Sequence, residues 1–147
     1  MLKTIKTSES NRAIVFALTS KLGMGPENII ARMAFAYSIS HGIKLNLNDI
    51  KDSKGKEYSS KVLVGEFLTF YVAIICQYYD IPNTDFNIPK YIKMHIDDGL
   101  ERISQVVQDN PNLPLFDFLM ENIESGLKKL TQNESSLKNN PRSSFGV

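Results

Sequence analysis

The chain has 147 residues, 42% of them hydrophobic, 22% charged, and a formal net charge of +1. That is enough apolar mass for one domain with a real core. A single cysteine excludes an internal disulfide framework and fits a reducing cytosol. The opening MLKTIKTSES lacks the apolar stretch of a signal peptide, and no transmembrane or lipidation signal follows, so a cytoplasmic protein is expected. The near-neutral total hides a split. Residues 1–61 hold ten Lys/Arg against five acids, and residues 62–147 hold seven against eleven. A polyanion-facing first half fits that count, and so does ordinary surface charge unevenly spread.

Residues 2–7 predict a short extended segment, with Leu2, Thr4 and Lys6 on one face and Lys3, Ile5 and Thr7 on the other. So short a strand needs a partner, and the same strand of a second subunit is one candidate. Ser8 suits the N-cap of a helix over 9–22, in which Ile14, Leu18 and Leu22 recur every four residues. Gly23 can take the left-handed conformation that commonly ends a helix. Pro26 opens a second helix, to about residue 40, where the first turn has no amide to satisfy. Residues 43–60 are polar and turn-rich, with a tight turn over 52–55.

The most apolar stretch is 61–79, KVLVGEFLTFYVAIICQYY. A helix of this composition must be covered on nearly every side. Its uncharged run, 67–79, is 13 residues, well short of the roughly 20 that span a bilayer. One continuous central helix is therefore expected, buried in the core and in part between subunits, and a charge at Phe70 or Ile74 should unfold or aggregate the protein. A connection over 80–89 leads to a helix over 88–107 capped by Asn87. DNPNLP at 109–114 breaks the chain, and Pro114 starts a last amphipathic helix to about residue 130. The Asn/Ser-rich residues 131–147 are expected to be a disordered tail. Residues 96–103 and 123–130 echo each other, IDDGLERI against IESGLKKL, which reads as shared helix-end grammar rather than a repeat. The predicted fold class is all-α, a compact domain of about five helices over 1–130.

The densest set of potential ligands is His95, Asp97, Asp98 and Glu101. His95 and Asp98 can share a helix face, yet a zinc site needs three or four converging ligands, and no HExxH or CxxC accompanies them. A hydrogen-bonded structural histidine is the better reading, and no metal or cofactor is expected. Cys76, in apolar surroundings with no basic neighbour, reads as an inert thiol. Glu66 sits early in the apolar helix, where a carboxylate is costly unless paired. Arg32, His95 or a lysine from 51–61 could supply the partner, and a fold-holding pair outweighs a catalytic acid. Lys3, Lys6, Arg12 and Lys21 face only Glu9 within residues 1–21 and are the candidate phosphate contacts, each neutralised phosphate steepening the salt dependence of duplex binding by roughly 0.9.

An ordered set of motifs adds to this: Ile5-Lys6-Thr7-Ser8; Gly23-Met24-Gly25-Pro26-Glu27-Asn28 with Arg32-Met33-Ala34-Phe35 and Ser38; the turn from Asp52 to Tyr58; Val64-Gly65-Glu66; and His95-Ile96-Asp97-Asp98-Gly99-Leu100. In this order, across about residues 2–119, the chain resembles the DndE family of bacterial DNA phosphorothioation (DNA sulfur modification) systems. The resemblance implies an all-helical subunit with a ribbon-helix-helix-like start, assembling as a homotetramer. It implies a non-catalytic role beside DndC- and DndD-like proteins, which replace a non-bridging phosphate oxygen of DNA with sulfur in a restriction-modification setting. It also implies binding to double-stranded, in particular nicked, DNA through surface lysines, with Lys3, Lys6, Arg12 and Lys21 as DNA-binding residues. Gly65, Glu66, Arg32 and His95 are then structural.

Overall fold

In the computed structural model, which describes residues 2–139, strand β1 (Thr4–Lys6) finds its partner within the chain. It pairs antiparallel with β2 (Glu57–Ser59), Ile5 opposite Tyr58, and these two side chains are buried while their neighbours face outward. Backbone bonds prolong the ladder at both ends, Ser60 N to Lys3 O and Thr7 N to Lys56 O, each 2.9 Å. The strand–helix–helix order is present, but the ribbon is made by this chain's own turn-rich segment and not by a second copy of β1. Gly55 makes that closure possible. Its amide donates to Thr7 O at 2.9 Å, and a Cβ there would lie 2.1 Å from Ser8 O.

Helix α1 (Glu9–Leu22) buries Asn11, Val15, Leu18 and Leu22, a stripe at helical spacing, and ends on Gly23 at φ 61°. Helix α2 (Glu27–Ser40) buries Ile30, Ala31, Ala34, Phe35 and Ser38. The apolar stretch that follows is not one helix. It divides into α3 (Ser60–Leu63), a 3-10 turn over Gly65–Phe67, and α4 (Leu68–Tyr79). Gly65 has φ 53°, outside the range of a right-handed helix, and the break falls there. Ser59 caps α3, its Oγ accepting Val62 N at 3.2 Å.

Nor is the stretch central. Only Ile75 of α4 is buried, whereas Phe67, Phe70 and Ile74 are 54, 66 and 38% exposed. The expected core helix is an outer helix with one inward face, and a charge at Phe70 or Ile74 meets solvent rather than the protomer's interior. The organising element is α5 (Ile88–Asp109), which packs most extensively on α2 and also meets α1, α4 and β1. Ile92, Ile96, Leu100 and Ile103 form its core stripe. At the crossing with α2 the two backbones touch, since a Cβ on Gly99 would lie 1.8 Å from Ala34 O.

The chain divides into two compact units, Met1–Pro111 and Asn112–Val147. The second holds α6 (Leu115–Lys138), which starts after Pro114 as expected but runs eight residues past residue 130. Residues 131–138 are thus helical and not a disordered tail; the part of that tail over 140–147 lies outside the described residues. Six helices and one small two-stranded sheet make the described chain mostly helical. No helix among the described residues is long and apolar enough to cross a membrane.

Candidate functional site

Three neighbouring residues of α5 send their side chains to two places, Asp97 to the start of α1 and His95 with Asp98 to Ser38 of α2. Asp97, buried, accepts Ser8 N at 2.9 Å, Asn11 Nδ2 at 2.7 Å and Lys93 Nζ at 2.6 Å. The start of α1 is therefore anchored by a carboxylate from α5, although Ser8's own side chain makes no capping bond. A second distant carboxylate helps: Asp52 Oδ1 accepts Glu9 N at 2.9 Å and Lys54 N at 3.0 Å. Those two amides hold the Asp52 carboxyl below its ordinary pKa. Negative groups at a helix N-terminus satisfy amides that lack partners within the helix and oppose the dipole favourably.

His95 is fully buried between Ser38 and Tyr79, its Nδ1 2.8 Å from Ser38 Oγ and its Nε2 2.8 Å from Tyr79 OH. Donor counting fixes the tautomer. Ser38 Oγ gives its one proton to Asp98 Oδ2 at 2.6 Å, so it accepts from His95 Nδ1–H. His95 Nε2 then accepts the Tyr79 hydroxyl proton, while the same hydroxyl accepts Leu45 N at 2.9 Å. Arg102 Nε closes the chain on Asp98 Oδ2 at 2.7 Å. Burial pushes the imidazole pKa down to about 4, against the opposing pull of Asp98. Phe35 and Tyr78 pack edge-on against the neutral ring. This network ties α2, α4, α5 and the segment at Leu45 together. Its side chains are saturated by one another, which suits a scaffold better than a reacting group.

The residues that the sequence offered as potential metal ligands do not converge. His95 and Asp98 meet at Ser38, Asp97 serves α1, and Glu101 pairs with Lys51. No group of three His, Cys, Asp or Glu placed to hold a metal ion occurs among the described residues. Glu66 is exposed, and neither Arg32 nor His95 pairs with it. Arg32 instead donates Nε to Leu63 O, and Nη2 to Val62 O at 3.1 Å, filling the carbonyls that the break at Gly65 leaves without helical partners.

The four cations picked from the sequence are all exposed, but they do not form one patch. Lys6 pairs across the sheet with Glu57 at 3.3 Å. Arg12 and Lys21 are nine residues apart on α1, about two and a half turns, and so lie on opposite faces roughly 14 Å apart along the axis. Lys3 stands just before β1. One ion pair joins the basic stretch to the acidic one, Lys51 with Glu101, while Lys56 meets Glu27 within the basic stretch at 3.0 Å. The unit Met1–Pro111 as a whole carries thirteen Lys/Arg against twelve acids, a net +1.

Sequence reasoning missed Asn11 and Tyr79, and carried Ser38 and Gly99 only as members of motifs, with no role assigned. Ser38 had a usable signal, a small polar residue on the otherwise apolar inner face of α2; Tyr79 was hidden within a run of apolar residues.

The fold and this network define a small helical protein of α1 to α5 around a two-stranded sheet, whose buried polar groups hold helices together. A family model described as DNA sulphur modification protein DndE matches residues 4–110, and the chain belongs to the DndE family. Two solved structures are similar in fold. One is DndE from Escherichia coli B7A, described as involved in DNA phosphorothioation modification, at 20% identity and a TM-score of 0.57. The other is a glycine-to-lysine mutant of DndE involved in DNA phosphorothioation, at 20% identity and a TM-score of 0.58. Each likeness covers 70% of this chain and 99% of the solved one. No curated protein matches the chain.

Proposed function

We propose that this chain is a non-catalytic, homo-oligomeric, DNA-binding subunit of a bacterial DNA phosphorothioation system. The observation that carries the reading is membership of a DNA sulphur modification family across the very unit whose buried His95, Asp97 and Lys93 are committed to holding helices. Lys3, Arg12 and Lys21 are exposed and make no ion pair among the described residues, so they are available to phosphates. Such contacts position a protein on duplex DNA without reading bases. Because they lie on different faces, one subunit cannot bring all of them to one short run of phosphates. A contact surface shared between copies answers that geometry, and the exposed Phe67 just before α4, with Phe70 and Ile74 on it, offers the copies an apolar face to join on.

The test is binding to nicked and intact duplex over a salt series. Replacing Lys3, Arg12 and Lys21 together by alanine should flatten the log–log salt slope by about 2–3, at roughly 0.9 per lost phosphate contact. Absence of binding by the unaltered protein at low salt refutes the reading. The same α4 face supports a second reading, a scaffold that joins DndC-like sulfurtransferase and DndD-like ATPase components with incidental DNA affinity. Co-purification with those components that survives the triple alanine change but is lost with Phe70→Glu would favour it.

A further inference from the structure

Helix α6 lies beyond the family match, which ends at residue 110. Along it Phe116, Met120, Ile123, Leu127, Leu130 and Leu137 stand 38 to 70% exposed. Their spacing alternates four and three residues, with Glu134 in the one remaining position of the series. A mean spacing of 3.5 held over three heptads is the a/d pattern of a coiled coil and not the wider stripe of a helix lying on a core. The helix also needs packing to persist. Gly126, Thr131, Asn122, Asn133 and three serines make it a weak helix former, and isolated helices of such composition are marginal in water.

We propose that α6 is a coiled-coil segment that pairs antiparallel with α6 of a second copy of this chain. Charge selects both the occupant and the orientation. Asp117, Glu121 and Glu124 fill the first half of the helix, and Lys128, Lys129 and Lys138 the second, where Glu134 is the one acid. Only positions that flank the seam meet across it, and of the charged residues these are Asp117, Glu124 and Lys138, each just after an apolar stripe residue. A parallel pair sets this flank against the uncharged Leu119, Gly126 and Asn133, whereas an antiparallel pair sets Asp117 of each helix beside Lys138 of the other. A membrane surface suits it poorly, because four acids against three lysines leave the helix at −1, whereas surface-bound helices carry a Lys/Arg-rich polar face. This association is separate from any made through α4.

The test uses the full chain in sedimentation velocity over a range of concentrations. Leu127→Glu with Leu130→Glu replaces two exposed side chains, so the unit Met1–Pro111 should keep its cooperative unfolding while the assembly becomes smaller and the helical signal of α6 falls. Glu134→Leu completes the stripe and should move association to concentrations at least tenfold lower. An unchanged mass distribution in the double variant overturns the proposal and leaves the stripe to a different protein. Orientation is read in a Cys76→Ser background, by mixing full chains carrying Asp117→Cys with full chains carrying Lys138→Cys and adding a short bis-maleimide. Cross-links between the two kinds of chain support the antiparallel pair, and cross-links of Asp117→Cys chains to each other overturn it.

Discussion

Replacing Gly99 by alanine tests whether α2 and α5 are held at backbone contact. The added Cβ would lie 1.8 Å from Ala34 O, 2.4 Å from Ala34 C and 2.7 Å from Ala34 Cα, where ordinary contact is 3.4–4 Å. Backbone atoms cannot rotate aside, so the helices must separate by more than an ångström. The crossing they open is lined by Ile30, Ala31, Ala34, Ile96 and Leu100, all fully buried. Overpacking typically costs about 1–3 kcal/mol, occasionally more, and a clash with main chain belongs at the upper end. Alanine's better helix propensity returns up to about 1 kcal/mol. The net expectation is a loss of about 2 kcal/mol, or a fall in Tm of roughly 8–16 °C for a unit of this size. Thermal and urea unfolding at fixed protomer concentration would measure it. Gly126 provides the contrast, because the same exchange there meets nothing within 4 Å. Gly126→Ala should instead raise the stability of α6 by about 0.5–1 kcal/mol, seen as a higher-melting helical signal. A Gly99→Ala protein as stable as the parent would refute the packing argument.

Three further outcomes follow from the buried network and the α4 face. His95 titrates near 4 when folded and near 6.5 when unfolded. The unfolded chain therefore binds the extra proton first, so this contribution to stability is complete above about pH 6.5, falls as the pH drops toward 4, and then levels off. His95→Gln should remove that part of the pH dependence, and an unaltered slope between pH 4 and 6.5 would show that His95 is not its source. Asp97→Asn leaves the Lys93 ammonium buried without its partner, at a cost of about 3–5 kcal/mol. Adding Lys93→Met should recover much of that loss in urea unfolding; failure to do so would place the damage at Ser8 and Asn11 instead. Phe70→Glu should change the unfolding free energy of the protomer by no more than about 0.5 kcal/mol while reducing its assembly in sedimentation. An unfolded variant would mean that Phe70 belongs to the core after all.

Helix positions were legible because their punctuation is local. Gly23, Pro26 and Pro114 each act through their own backbone preferences, and the helices start or stop beside them, whereas Asn87 stands before α5 without the expected side-chain capping bond. What was illegible depends on residues distant in the chain. The partner of β1 comes from 57–59, and nothing in a three-residue strand names its register. Composition misled over residues 61–79, because an apolar count ignores the single dihedral at Gly65 and cannot tell a face covered by this chain from one left bare. The two matching octapeptides hid opposite circumstances, one glycine pressed against a neighbouring helix and the other open on all sides.

For the candidate site the same distinction decides which inferences hold. Lys3, Lys6, Arg12 and Lys21 are legible as exposed cations, since charge at the surface is a property of single residues. Their convergence was not legible, because it depends on the phase of α1 and on Glu57 arriving beside Lys6 from β2. The net charge of residues 1–61 is likewise a property of an interval that the fold does not respect. Asp97 and Asp98 pair with Lys93 and Arg102 of their own half and Glu101 with Lys51 of the other, and the unit Met1–Pro111 holds thirteen Lys/Arg against twelve acids, so the field outside it is that of nearly balanced charge. A phosphate backbone approaching one subunit meets isolated cations rather than a stripe. If the chain binds DNA as proposed, affinity should grow with the number of copies that present these cations together, so a binding measurement has to control assembly.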